Sequence, residues 1–213
     1  MTESSLRALL KRIEPLDEEV MQQAQMRMDN LTKPLGSLGR LERIAIHIAG
    51  IMRQVKPRVD GKAVVVMAGD HGVVQEGVSL YPQEVTVQMV HNFIRGGAAI
   101  NVLSRHGDVR LIVVDIGVSA DVEPSEGLLI RKVRYGTRNF TQDPAMTRPE
   151  ALQAIAIGID IAEQLINEGA QMLALGDMGI GNTTPSSAIT AVLTGRLVEE
   201  VTGRGTGLDD AQW

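Results

Sequence analysis

Three short segments of this 213-residue chain combine glycines with residues able to hold a ligand or move a proton. They are Gly69-Asp70-His71-Gly72, Asp115-Ile116-Gly117, and Gly176-Asp177-Met178-Gly179-Ile180-Gly181. Each ends an apolar run, KAVVVMA, VRLIVV or QMLAL. A single Asp-Gly pair is an ordinary strand-ending turn. Three at one sheet edge point to a crevice, because ligands of open parallel sheets collect beyond the carboxyl ends of the strands.

The most distinctive stretch continues from the third segment through Asn182, Thr183, Thr184 and Pro185. Glycines let a backbone approach a ligand closely, and the unpaired N–H groups and dipole of a following helix favour an anion. Two threonine hydroxyls add donors. The Lys of a Walker loop and the spacing of a dinucleotide fingerprint are both absent, which favours a monophosphate over ATP or NAD. The competing reading makes Thr184 a helix cap with Pro185 at the first helical position.

Asp70, His71, Asp115 and Asp177 form a second candidate set. Oxygen and imidazole ligands at strand ends suit Mn or Zn in a phosphohydrolase. Of the four histidines, only His71 lies at a strand end, and a packed or turn-stabilising His71 is an equal reading. The loop Gly72–Pro82 is long for a strand-to-helix connection. Its Val78, Ser79, Leu80 and Tyr81, with Gln88 two turns into the next helix, suit a flat, mostly apolar ligand. The residues alone favour an ordinary surface loop with Leu80 and Tyr81 tucked into the core.

These segments need elements to position them. Asp17–Asn30 and Leu41–Gln54 are predicted helices joined by a glycine-rich elbow, LTKPLGSLGRLE. Strands are predicted at KAVVVMAGDHG, Val109–Gly117 and Leu129–Tyr135, with helical composition over Pro82–Ile94 and Ala98–Ser104. Thr147, Pro149 and Glu150 start a capped helix, Leu152, Ile155, Ile159, Ala162 and Ile166 recur at helical spacing, and Gly169 stops it. A strand, a glycine turn and a helix follow. Alternating strands and helices at these separations imply parallel pairing. The expected class is α/β, a Rossmann-like parallel sheet with helices on both faces. Residues 1–57 are expected to form a small N-terminal helical lobe, and residues 58–213 an α/β nucleotide-binding core.

Composition narrows the function classes. The formal charge is −5 and aromatics make up 2% of the chain, so neither a basic footprint for phosphate backbones nor stacking platforms for bases are present. Nucleic acid is not an expected partner. With no cysteine, disulfides and thiolate chemistry are excluded. No apolar run approaches the ~20 residues of a membrane helix, and the N-terminus lacks the apolar centre of a signal peptide. A cytoplasmic location is the expectation.

The stretches LTKPLGSLGRLE, MAGDHGVVQEGVSLYPQEVTVQMVHNFIRGGAAINVL, VVDIGV and LGDMGIGNTTPSSAITAVLTG closely resemble the nicotinate-nucleotide:dimethylbenzimidazole phosphoribosyltransferases of cobalamin nucleotide-loop assembly. The resemblance runs from the first helix to the last residue. It implies transfer of the phosphoribosyl group of nicotinate mononucleotide to dimethylbenzimidazole, giving α-ribazole phosphate and nicotinate. It places the nucleotide on Gly176, Asp177 and Gly179–Thr184, and the base against Ser79, Leu80, Tyr81, Gln88 and Met178. No metal or other cofactor is implied, and a homodimer is. The family's general base is a glutamate in a glycine-rich segment near the C-terminus of a longer chain. Its absence from this sequence implies severely impaired turnover by these 213 residues alone, with part of the nucleotide site retained, and a non-catalytic nucleotide-binding fragment is the alternative reading. Where the family commonly has glutamate in the strand-end turn this chain has Asp177, a possible auxiliary group rather than an assigned base.

Overall fold

The computed structural model describes residues 1–213, which divide into two compact units, Met1–Asp60 and Gly61–Trp213. The first contains α1 (Glu3–Leu10), α2 (Glu18–Asp29) and α3 (Arg40–Met52). Asp17 caps α2, its carboxylate accepting the Val20 N–H at 2.9 Å. At Gly50, any β-carbon would come within 2.5 Å of Met21 Cγ, so this glycine permits the close approach of α2 and α3. In the elbow, Glu42 accepts the Leu38 N–H at 3.1 Å and lies 2.8 Å from Lys33 Nζ. The Lys33 ammonium holds the Glu42 carboxyl below its usual range. The elbow between two helices is as expected, whereas α1 is an addition to the expected elements. It buries no residue.

The second unit begins with β1 (Lys62–Gly69), a 3₁₀ turn over Gly72–Glu76, α4 (Val85–Ile94), α5 (Ala99–Gly107), β2 (Arg110–Gly117) and β3 (Leu128–Ile130). It continues through α6 (Arg148–Asn167), β4 (Met172–Met178), α7 (Thr183–Thr194) and α8 (Val198–Val201). The four strands form one parallel sheet in the order β3-β2-β1-β4. Opposite Ala68 lie Asp115 on β2 and Met178 on β4. Val66 and Val113 pack on one face with Val90 and Phe93 of α4 and Ala98 before α5. Val65, Ile112 and Val114 pack on the other with Ile161 and Leu165 of α6. Helices therefore cover both faces, as the α/β reading requires.

Two expectations are corrected here. The third strand stops at Ile130 instead of Tyr135. Beyond it the chain bends across the end of β2, with Arg131 N donating to Asp115 O at 2.9 Å and Val133 N to Ile116 O at 3.0 Å. Lys132 turns back to give hydrogen bonds to the carbonyls of Val118 and Ala120 at 2.6 and 2.7 Å. The carbonyls at the end of β2 thus hold a wall rather than a regular strand.

On α6 the capping box of Thr147 and Glu150 forms as expected, and Gly169 takes its left-handed conformation at φ +100°. The stripe that packs on the sheet is Ile157, Ile161 and Leu165, however, while Ile155 and Ile166 of the expected stripe are exposed. Both stripes have helical period, and only the docking angle on the sheet selects between them. No helix is long and apolar enough to cross a membrane.

Candidate functional site

The chain steps from β1 outward to β2 and β3, then returns to add β4 on the other side of β1. The topological switch point lies between the carboxyl ends of β1 and β4, where a parallel sheet opens a crevice. Gly69, Asp70 and His71 leave β1 there, and Gly179 leaves β4. A β-carbon on Gly179 would overlap the Gly69 carbonyl oxygen, so the two backbones meet only because that residue has no side chain.

The turn after β4 folds tightly. Gly181 has φ +78°, and a β-carbon there would lie 2.7 Å from Val74 Cγ2, so glycine is required on both conformational and steric grounds. Ile180 is buried and its N–H donates to Thr86 Oγ1 on α4 at 3.1 Å. Asn182 N donates to Gly179 O, and Thr184 N to Gly181 O, both at 3.1 Å. Several amides expected to point outward are thus spent inside the turn. α7 starts at Thr183 with Asn182 as an N-cap that makes no side-chain capping bond. Thr184 is therefore not the cap, and Pro185 occupies the third helical position. The hydroxyls of Thr183 and Thr184 and the Thr183 N–H remain at the uncapped helix start, which carries partial positive charge.

Along β4, alternate side chains face opposite sides of the sheet. Met178 packs against the core beneath α4 and α5. Gln88 is on α4, which packs on this same face, and Ser79, Leu80 and Tyr81 precede that helix in the chain. Leu80 and Tyr81 are each 55% exposed, which overturns the reading that tucks them into the core. Thr206 Oγ1 accepts the Leu80 N–H at 2.9 Å, and Ser79 Oγ accepts the Tyr81 N–H at 3.2 Å. The two apolar side chains are held at the surface by their backbone, free to cover a flat ligand.

Asp177 faces the other side and borders a cavity of about 270 Å³ with Asp70, His71 and Met67 along the strand ends and Arg134 and Glu150 opposite. Asp70 is 3% exposed; its Oδ2 accepts the Ser119 N–H at 2.7 Å and its Oδ1 is buried without a partner. Burial pushes the His71 imidazole below its usual pKa, against the opposing charges of Asp177 and Asp70. Glu150 is held below the usual carboxylate range by the Thr147 N–H and hydroxyl, then by the Arg134 and Arg138 guanidiniums at 3.5 and 3.6 Å.

The alternative metal set is not brought together. Asp115 is fully buried, accepts the Val118 N–H at 2.9 Å and pairs with Lys132 Nζ at 3.1 Å. No group of three or more His, Asp or Glu residues is arranged to hold a metal ion. Sequence reasoning missed Thr86, Arg134 and Thr137, all on segments without a glycine-rich signal. The only trace of Arg134 is the basic interruption Arg131, Lys132, Arg134 in what reads as a strand.

A parallel α/β sheet with an uncapped helix start at its switch point is an arrangement able to seat an anion. A family profile described as phosphoribosyltransferase matches residues 13–213, and the chain belongs to that family. It is 56% identical over 208 residues to the nicotinate-nucleotide–dimethylbenzimidazole phosphoribosyltransferase of Chloroflexus aggregans, covering 98% of this chain and 59% of that protein. The Desulforudis audaxviator protein of the same name is 55% identical over 206 residues, covering 97% of this chain and 58% of the relative. The crystal structure of CobT from Thermus thermophilus superimposes with a TM-score of 0.88 at 54% identity, covering 91% of this chain and 58% of that one. The chain thus spans less than two thirds of the length of the relatives it matches.

Proposed function

We propose that this chain serves phosphoribosyl transfer from nicotinate mononucleotide to dimethylbenzimidazole, yielding α-ribazole phosphate and nicotinate. The observation that carries the reading is the division of the switch-point crevice by β4, with Met178 on the side covered by α4 and Asp177 on the His71 side. A sugar carbon at the mouth of β4 could then be approached by one ring from one side while another departs from the other.

In this reading the phosphate rests on the Gly179–Thr184 turn, against the Thr183 N–H and the two threonine hydroxyls. Gly176 keeps the strand slim beneath it, since a β-carbon there would come within 3.0 Å of Val66 Cγ2. The benzimidazole lies over Leu80 and Tyr81, edged by Ser79, Gln88 and Met178. Its bare ring nitrogen attacks C1′ of the ribose. The bond from C1′ to the pyridinium nitrogen breaks, and its electron pair neutralises that nitrogen, so nicotinate leaves without an acid. The proton on the second benzimidazole nitrogen becomes acidic as the bond forms and must pass to a carboxylate, a role that the family resemblance gives to a glutamate of the longer chain and to no residue of these 213. Asp177 is an auxiliary group that orients the ribose.

Calorimetric titration of the chain with nicotinate mononucleotide tests the proposal. One site is expected, competed by inorganic phosphate and weakened by Thr183→Val, while dimethylbenzimidazole still binds together with the nucleotide. Absence of nucleotide binding, or mutual exclusion of the two substrates, would overturn it. A homodimer and a cytoplasmic location are further parts of this proposal, checked by light scattering and by cell fractionation.

A further inference from the structure

The turn Arg204–Leu208 touches both the loop before α4 and the start of α7. It closes on itself, with Gly207 N and Leu208 N both donating to Arg204 O at 3.0 Å and Arg204 Nη1 donating to Leu208 O at 3.1 Å. Leu208 is buried and anchors it, while Gly205, Thr206 and Gly207 stay exposed. The chain before and after is also tied down. Ser187 Oγ of α7 donates to Val201 O at 2.9 Å, and Trp213 Nε1 to Thr202 O at 3.0 Å.

The three central residues of this turn meet different partners. A β-carbon on Gly205 would lie 3.1 Å from Thr183 Oγ1, so its bare backbone rests against the helix start. Thr206 Oγ1 accepts the Leu80 N–H at 2.9 Å and lies 3.4 Å from Ser79 Oγ. A β-carbon on Gly207 would stand 3.8 Å from Leu80 Cδ1. The other hydrogen bonds of Gly77–Tyr81 are local, Gly77 N to Val74 O and Tyr81 N to Ser79 Oγ. Thr206 is therefore the distant residue to which this loop is hydrogen-bonded.

We propose that Thr206 is a positioning residue that couples the two substrates, transmitting order from the anion turn at Thr183 to the Leu80–Tyr81 surface. The inference rests on the phosphoribosyl transfer proposed above and adds a thermodynamic link between its nucleotide and its aromatic base. A phosphate on the Thr183 N–H and hydroxyls steadies the start of α7, and Gly205 with it. Thr206 then holds its oxygen at one place for the Leu80 N–H, and a flat ring meets a surface already ordered. Conformational freedom lost to the first ligand is not lost again to the second, which gives positive coupling without a new contact. Linkage makes the effect reciprocal, so the base tightens the nucleotide by the same factor.

The test titrates dimethylbenzimidazole calorimetrically with and without saturating nicotinate mononucleotide, then in the reverse order. The natural sequence, Thr206→Val, Thr206→Ser and Gly205→Ala are compared, with circular dichroism as the folding control. In the natural chain each ligand should tighten the other about fivefold, the lower end of usual coupling between sites. Thr206→Val should bring that factor to one, and Thr206→Ser, which keeps the oxygen, should preserve it. Gly205→Ala, which pushes the turn off Thr183, should reduce it. Without any substitution, the Leu80 amide resonance should shift when the nucleotide alone is added. A merely structural Thr206 would instead lower both affinities in Thr206→Val and leave the coupling factor intact. That result, independent binding in the natural chain, or an unmoved Leu80 resonance overturns the inference. If both ligands bind together in those cases, the proposed reaction survives; if the nucleotide does not bind or the two exclude one another, both fail.

Discussion

The His71 imidazole lies directly beneath Gly179, so close that a β-carbon on the glycine would come within 2.9 Å of Nε2 while also overlapping the Gly69 carbonyl. The carbonyl cannot swing aside, because it belongs to the end of β1. Gly179→Ala should therefore push the turn off the strand end, at a cost of about 1–3 kcal/mol typical of overpacking. Urea denaturation reads the stability loss, and calorimetry should show the nucleotide affinity falling with it. Unchanged stability would mean that the strand ends separate freely.

His71 also gives the chain a pH signature. Burial lowers its folded pKa beneath the ordinary value of about 6.5. As pH falls through that value only the unfolded chain takes up the proton, so stability drops on acidification until the folded pKa is reached. The slope from this one group is at most about 1.4 kcal/mol per pH unit. His71→Gln should flatten this part of the stability profile, leaving the losses at lower pH from Glu42, Glu76, Glu150 and Glu168 in place. Asp177→Asn should lower the His71 pKa further, measured by NMR titration, because it removes the charge that favours imidazolium.

Asp115, a candidate metal ligand by sequence, forms a buried pair with Lys132. Lys132→Met strands a carboxylate with no exposure, and breaking such a pair from one side costs about 3–5 kcal/mol. The double variant Asp115→Asn with Lys132→Met should recover a substantial part of this loss. A double-mutant cycle in urea measures the coupling, and purely additive losses would show that the pair acts as two independent residues.

Thr86→Val keeps the shape of a fully buried side chain but removes the acceptor for Ile180 N–H. An orphaned buried amide costs about 1–3 kcal/mol. The turn after β4 should loosen, weakening mononucleotide binding more than dimethylbenzimidazole binding in parallel titrations. Equal weakening of both would assign Thr86 to general packing.

Much of the frame was legible in local sequence because its causes are local. The β-branched run Val64–Val66, the Thr147–Glu150 box and the glycines before α7 each encode their own conformation within a few residues. The close match of the glycine-rich blocks to one family was likewise a property of the string. Tertiary structure decided which of two apolar stripes on α6 meets the sheet, that Asp115 is consumed by Lys132, and that Ile180 spends its amide on Thr86. It also brought Arg134 across the cavity from Asp70, 64 positions earlier by their numbering. Such pairings arise only when strands take their order and the chain wraps over their ends, and no local period or propensity encodes that meeting of distant residues.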